Sequence, residues 1–177
     1  NLRGFEDMGV APSWLPGYVS AEGDGAEALS EFSPSASPVG SGLGGGELLA
    51  RAASGEVKAL YLVGVDPAED TGDRDVLEKL DFLVVQDLFL TDTGSRADVF
   101  LPSASYTEKL GSFTNALGMA QQFKRSFKPI GDSQEDWRIF SQLAEALGAD
   151  FGYQGVKDVQ GEINELWEKL TGKPYMS

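Results

Sequence analysis

This chain has no cysteine and no histidine. Its own residues therefore cannot ligate an iron–sulfur cluster through thiolates. Zinc and copper sites built on Cys or His are excluded, as is catalysis by Cys–His or Ser–His–Asp sets. Positive charge is scarce too: 14 Lys and Arg stand against 28 Asp and Glu, a net charge of −14. Such a surface repels a phosphate backbone and an anionic membrane, so nucleic acid is not an expected partner. The acid reads instead as solubility, or as a face for a basic neighbour. Long apolar runs are missing. The longest, Ala59 to Val63 and Phe82 to Val85, have strand length and fall far short of the ~20 residues of a membrane span, so no membrane insertion is expected. A carboxylate site for magnesium or calcium stays open, although no Asp-x-Asp-x-Asp-Gly loop occurs. The opening Asn1-Leu-Arg-Gly-Phe-Glu-Asp7 has neither a signal-peptide core nor an initiator Met, and reads as a cut from something longer.

What is present suits a folded α/β chain. Hydrophobic residues make up 41% of 177 positions, enough for a real core. Gly4, Gly9, Pro12, Pro16 and Gly17 punctuate residues 1–18, which read as an irregular arm packed on a larger body. Residues 19–46 are rich in Gly, Ser, Pro and Ala and read as a flexible loop. The run from Gly40 to Gly46 lacks the Lys-Ser/Thr and the preceding strand of a phosphate loop. From Glu47 the pattern is regular. A helix at 47–54 ends at Gly55, followed by an apolar strand at 57–63, a helix at 73–80 capped by Asp73, a strand at 82–86, a short helix at 91–96 and a strand at 98–101 stopped by Pro102. Strands that are nearly all apolar and alternate with helices predict a parallel sheet covered on both faces. A hairpin is expected within 112–127, around Asn115-Ala-Leu-Gly118. A helix over 134–147, capped by Asp132 or Ser133, carries Trp137 as a core anchor, and a last helix spans 158–170. The expected division is an α/β domain over 1–148 and a helical extension over 149–177.

Ligands of open α/β sheets sit beyond the carboxyl ends of the strands. Here those ends are Gly64-Val65-Asp66-Pro67, Gln86-Asp87 and Pro102-Ser103. Read from the residues alone, they are either a crevice with a few acceptors and backbone donors or ordinary strand-to-helix turns. Glu108-Lys109 reads as a surface salt link, and the acidic run Asp66 to Asp75 as a solvated face.

Three linked segments carry a family resemblance: Lys58-Ala-Leu-Tyr-Leu-Val-Gly-Val-Asp-Pro67, Leu80-Asp-Phe-Leu-Val-Val-Gln-Asp-Leu-Phe-Leu-Thr91 and Ala97-Asp-Val-Phe-Leu-Pro102. In this order they resemble the molybdopterin oxidoreductase family. Within it, Ser105-Tyr-Thr-Glu-Lys109, Gly111-Ser-Phe-Thr-Asn115, Ala120-Gln-Gln122 and Glu135-Asp-Trp137 look most like the member of this family found in NADH-quinone oxidoreductase, respiratory complex I. The resemblance implies a C-terminal fragment of that member, with a Rossmann-like α/β fold: a mostly parallel sheet and flanking helices, plus a hairpin and C-terminal helices. It implies a non-catalytic scaffold segment of the peripheral arm of the complex, which passes electrons from NADH to quinone on the cytoplasmic side of the bacterial inner membrane. The iron–sulfur clusters would lie in an N-terminal part outside this chain. The partners would be other peripheral-arm subunits and the rest of the same chain.

The alternative is a cofactor-binding segment of a molybdenum or tungsten bis-pterin oxidoreductase such as formate dehydrogenase. Members of that kind typically read Gly-Glu-Asn-Pro and Phe-Thr-Asn-Thr-Glu-Arg-Arg where this chain has Gly64-Val65-Asp66-Pro67 and Phe113-Thr-Asn-Ala-Leu-Gly-Met119. Polar residues expected at a charged dinucleotide are thus replaced by Val65, Ala116, Leu117 and Met119, and bound molybdopterin is not expected. Gly64, Asp66, Pro67, Gln86, Asp87 and Asn115 match the family pattern as candidate remnants of a pterin site. No residue is assigned catalysis or metal ligation. The two readings differ in one geometric respect: the scaffold needs an occluded or shallow crevice at Asp66 and Gln86, the cofactor site an open polar one.

Overall fold

A computed structural model describes residues 1–33, 42–72 and 74–175. Asp73, expected as a helix cap, and the start of the Gly40–Gly46 run lie outside the described residues. The chain divides into two compact units, one made of Asn1–Gly44, Leu110–Phe123 and Gly152–Ser177, the other of Gly45–Lys109 and Lys124–Phe151.

The second unit holds the expected sheet. Strands β3 (Ala59–Val63), β4 (Phe82–Asp87) and β5 (Val99–Pro102) pair in parallel in the order β3-β4-β5. Leu60 faces Leu83, Leu62 faces Val85, and Val85 in turn faces Phe100. Side chains alternate across a strand, so these residues share one face. On that face they form the core with Ala68, Leu77, Leu49, Leu80 and Ala97. The covering helices are α3 (Gly45–Ala53), α4 (Pro67–Asp70) and α5 (Arg74–Leu77). Helix α3 stops where expected: Gly55 takes a φ of +78°, and the next amide, Glu56, reaches back to the Arg51 carbonyl at 2.9 Å. On the opposite face Tyr61 meets Phe140 of α6 (Asp136–Ala146), with ring centroids 6.1 Å apart.

Coverage is less complete than the apolar runs suggest. Only the central strand, β4, has fully buried side chains, while Ala59 and Val63 of β3 are exposed. A strand with one neighbour keeps an open edge, and apolar composition cannot tell an edge from a centre. The α6 cap also differs from expectation. Glu135 occupies the cap position, whereas the Ser133 hydroxyl donates to the Ile130 carbonyl. Trp137 is half-buried and no core anchor: its Nε1 donates to Glu135 at 2.9 Å, and the Arg138 guanidinium lies 5.0 Å from its ring centroid. Ile139 and Ala144 are the buried residues of that helix.

The first unit corrects two loop assignments. The arm contains a helix, α1 (Leu2–Asp7), because Asn1 caps it: Asn1 Oδ1 accepts from the Gly4 amide at 3.0 Å. The same side chain bonds the Thr114 backbone on both sides, at 2.7 and 3.0 Å. The segment read as flexible begins with a strand, β2 (Val19–Ser20), paired with β1 (Trp14–Leu15), and then a helix, α2 (Asp24–Phe32). There Ala28 and Leu29 are half-buried and Asp24 and Glu27 sit in the favoured first turn, so periodicity outweighs the small-residue composition. The hairpin is present as β6 (Gly111–Thr114) and β7 (Ala120–Phe123), antiparallel. The last helix, α7 (Val156–Thr171), ends at Gly172 with a φ of +70°. Among the described residues no helix is long and apolar enough to cross a membrane.

Candidate functional site

The carboxyl ends of β3 and β4 bring five of the six candidate residues into one unit; the sixth, Asn115, lies in the hairpin of the other unit. Their polar atoms are largely engaged by the protein's own backbone and side chains. Gly64, at a φ of +63°, donates its amide to the Gln86 carbonyl at 2.9 Å, continuing the ladder one residue past β3. Pro67 opens α4, where its missing donor costs nothing, and is buried.

Asp66 closes the turn between them. One carboxylate oxygen accepts from the Thr93 amide at 3.0 Å and from the Thr93 hydroxyl at 2.5 Å. That hydroxyl, fully buried, accepts from the Ala68 amide at 3.0 Å. The Asp66 carbonyl takes the Glu69 and Asp70 amides at 3.1 and 2.8 Å. The Thr93 hydroxyl, acting against desolvation, holds the Asp66 carboxyl below its ordinary pKa.

Gln86 is fully buried on the central strand. Its amide oxygen accepts from the Tyr61 hydroxyl, and its nitrogen donates to Asp136 at 2.8 Å. Asp136 is ion-paired with Lys109 through its other oxygen. Burial first, and the Asp136 charge second, push the Tyr61 hydroxyl above its ordinary pKa. The four residues form one polar chain from β3 to α6. Lys109 is therefore not paired with Glu108 in a surface link. Glu108 is buried, and accepts from the Ser105 amide at 2.8 Å in a capping box.

Asp87 is half-buried and accepts from the Leu88 amide at 2.6 Å. Beyond it the rim turns apolar: Val65, Leu88, Phe89 and Leu90 are all exposed. Asn115 holds the hairpin turn, its side-chain oxygen accepting from the Leu117 and Met119 amides at 2.9 and 3.0 Å. Among the described residues no group of three or more acidic side chains is placed to hold a metal ion.

Tyr61 and Asp136 fall inside the segments that carry the family resemblance, but neither they nor Thr93 show these bonding roles in the sequence. Thr93 sits 27 residues from Asp66, and Asp136 sits 50 from Gln86. No local spacing announces such pairs. In the sequence Asp136 reads as an ordinary first-turn acid of its helix.

Known proteins share both the sequence pattern and the fold. The model of the family described as molybdopterin oxidoreductase matches residues 17–146. A protein of Staphylococcus haemolyticus strain JCSC1435 named "Putative formate dehydrogenase" is 37% identical over 99% of this chain. One of the same name from Staphylococcus aureus strain USA300 is 38% identical over the same share. This chain spans 18% of the length of each. Among solved structures, acetylene hydratase from Pelobacter acetylenicus superposes with a TM-score of 0.58 at 20% identity, covering 85% of this chain and 23% of that one, a likeness of fold.

A pterin dinucleotide asks two things of a protein: acceptors for the ring N–H and amino groups, and cations or amides for its phosphates. Asp87 suits the first. For the second, the cations of the adjoining loops are already engaged. Arg74 binds Asp92 at 2.5 Å, Arg96 binds Glu78 at 2.7 Å, and Lys109 binds Asp136. The rim itself adds Asp66, Glu69 and Asp70. At this rim Asp87 suits the base end of such a group, while the cations of the adjoining loops are already paired and leave none of these three for its phosphates.

Proposed function

The chain belongs to the molybdopterin oxidoreductase family, and from that premise we propose that it is a non-catalytic scaffold segment of a larger oxidoreductase, of the kind found in the peripheral arm of NADH-quinone oxidoreductase. One observation carries the reading: the polar side chains at the strand ends serve the fold. Asp66 locks a turn to Thr93, and Gln86 is buried between Tyr61 and Asp136. The apolar Val65, Ala116, Leu117 and Met119 support the same reading, since they offer nothing to a phosphate. In this reading the partners are sister subunits and the rest of the same chain. The parent lies peripherally on the cytoplasmic side of the bacterial inner membrane, with iron–sulfur clusters bound outside this chain and no molybdopterin.

A second reading has its own support. Relatives that match nearly the whole chain carry a formate dehydrogenase name. In that reading the rim at Gly64 and Asp87 holds the base end of a molybdenum or tungsten pterin cofactor, and cations from elsewhere in the parent hold its phosphates.

The test is elemental and cofactor analysis of the full-length parent, purified with its neighbours. Molybdenum and tungsten are counted by mass spectrometry, and pterin by fluorescence after oxidation. Iron without the heavier metals or pterin is the expected result. Near-stoichiometric metal and pterin would overturn the scaffold reading.

A further inference from the structure

The loop from Gly9 to Tyr18 contains a residue that its backbone does not ask for. Gly9, at a φ of +72°, is required, because a Cβ there would lie 2.7 Å from the Leu15 and Pro16 backbone. Gly17, at +77°, is required too, since a Cβ would meet Thr171 at 2.3 Å. Tyr18 follows with a φ of +59°, the one non-glycine residue with positive φ among the described residues. Glycine or asparagine occupies such a position with less strain. Nor does core packing ask for the ring, which is 43% exposed. A strained position occupied by a half-exposed aromatic side chain directs attention to what that side chain can contact.

Tyr18 lines a cavity of about 300 Å³, together with Glu6, Ala11, Pro12, Ser13 and Trp14. Trp14 is 47% exposed. The Tyr18 hydroxyl lies 3.5 Å from a Glu6 carboxylate oxygen. The Arg3 guanidinium, which binds Asp7 at 3.1 Å, lies 6.0 Å from the Tyr18 ring centroid and does not line the cavity. Two aromatic residues and a carboxylate thus line one cavity, and aromatic rings and carboxylates attract a cation by quadrupole and by charge.

We propose that this cavity docks a lysine or arginine side chain of a partner polypeptide. An anion would meet Glu6 and a chain of net charge −14. An apolar side chain would desolvate the Glu6 carboxylate without pairing it. Pockets that engulf a small molecule cover ~70–90% of its surface. Aromatic walls this open suit a group that arrives attached to a larger body. The inference holds whichever oxidoreductase is the parent.

The test immobilises the full-length protein that carries this chain and measures binding of the capped tripeptides Ala-Lys-Ala and Ala-Arg-Ala, their norleucine counterpart Ala-Nle-Ala, and free methylammonium. Lysine and arginine peptides should bind in the millimolar range or tighter, and the norleucine peptide at least about tenfold more weakly. Glu6→Gln and Trp14→Ala should each weaken the basic peptides by about threefold or more. Tyr18→Gly should weaken them likewise while leaving the thermal midpoint unchanged or higher, because the backbone strain is relieved. Equal binding by the norleucine peptide or by the Glu6→Gln protein would overturn the cation assignment. Equal affinity for methylammonium would overturn the partner assignment, and a lower midpoint for Tyr18→Gly would overturn the assignment of strain to Tyr18.

Discussion

Thr93 shows how one hydroxyl can hold two loops. Its oxygen accepts the Ala68 amide while its proton goes to Asp66, all within a fully buried position. Thr93→Val keeps the shape and removes both bonds, leaving a buried donor and a carboxylate short of a partner. The expected loss is about 2 kcal/mol or more by chemical denaturation, with Thr93→Ser nearer to wild type. The Asp66 carboxyl supplies a pH test. Its folded pKa lies below the ordinary 3.8, so its contribution is fully present above that value and is lost as pH falls through the folded pKa. Asp66→Asn should therefore flatten the acid limb of stability against pH below about 4. An acid limb unchanged in the variant would show that other carboxylates set it. At this scale the sequence is partly legible. Asp66, Gln86 and Asn115 can be picked out as positions of consequence, but their partners cannot, because Thr93 and Asp136 are distant along the chain.

Elements are easier to read than their limits. The three parallel strands, the hairpin and the last two helices come from periodicity and turn chemistry, which act over a few residues. Helices α1, α2 and the one-turn α4 go beyond the sequence reading; α1 and α2 are short and lie in segments rich in glycine and proline or small residues. Helix α1 exists because Asn1 caps it and anchors to Thr114, a contact 113 residues away. In α7 the sequence marks a weakness that the structure leaves open. A Cβ on Gly161 would meet nothing within 4 Å. Gly161→Ala should raise stability by ~1 kcal/mol through helix propensity alone. A loss of stability, read from the thermal midpoint, would show that the exposed face of α7 is in contact with something in the parent protein.

For the molecule as a whole, the charge excess dominates. A net charge of −14 repels itself, and the ion pairs among the described residues are mostly exposed at one or both partners. Raising salt from low to physiological strength should therefore raise the thermal midpoint, since screening relieves repulsion more than it weakens the pairs. A midpoint that falls with salt would mean that the pairs outweigh the repulsion. The same excess is what makes the cavity at Trp14 and Tyr18 suited to a basic partner.

The sequence alone decided the chemistry this chain cannot do and the order of its α/β elements. Both follow from residue types and short-range periods, which are written locally. It also carried the family, through several linked motifs in order. The tertiary structure decided which strand is central, what Asp66 and Gln86 are bonded to, and that Tyr18 stands strained beside Trp14 and Glu6. Those facts depend on residues far apart in sequence meeting in space, and on a backbone angle that no residue type prescribes.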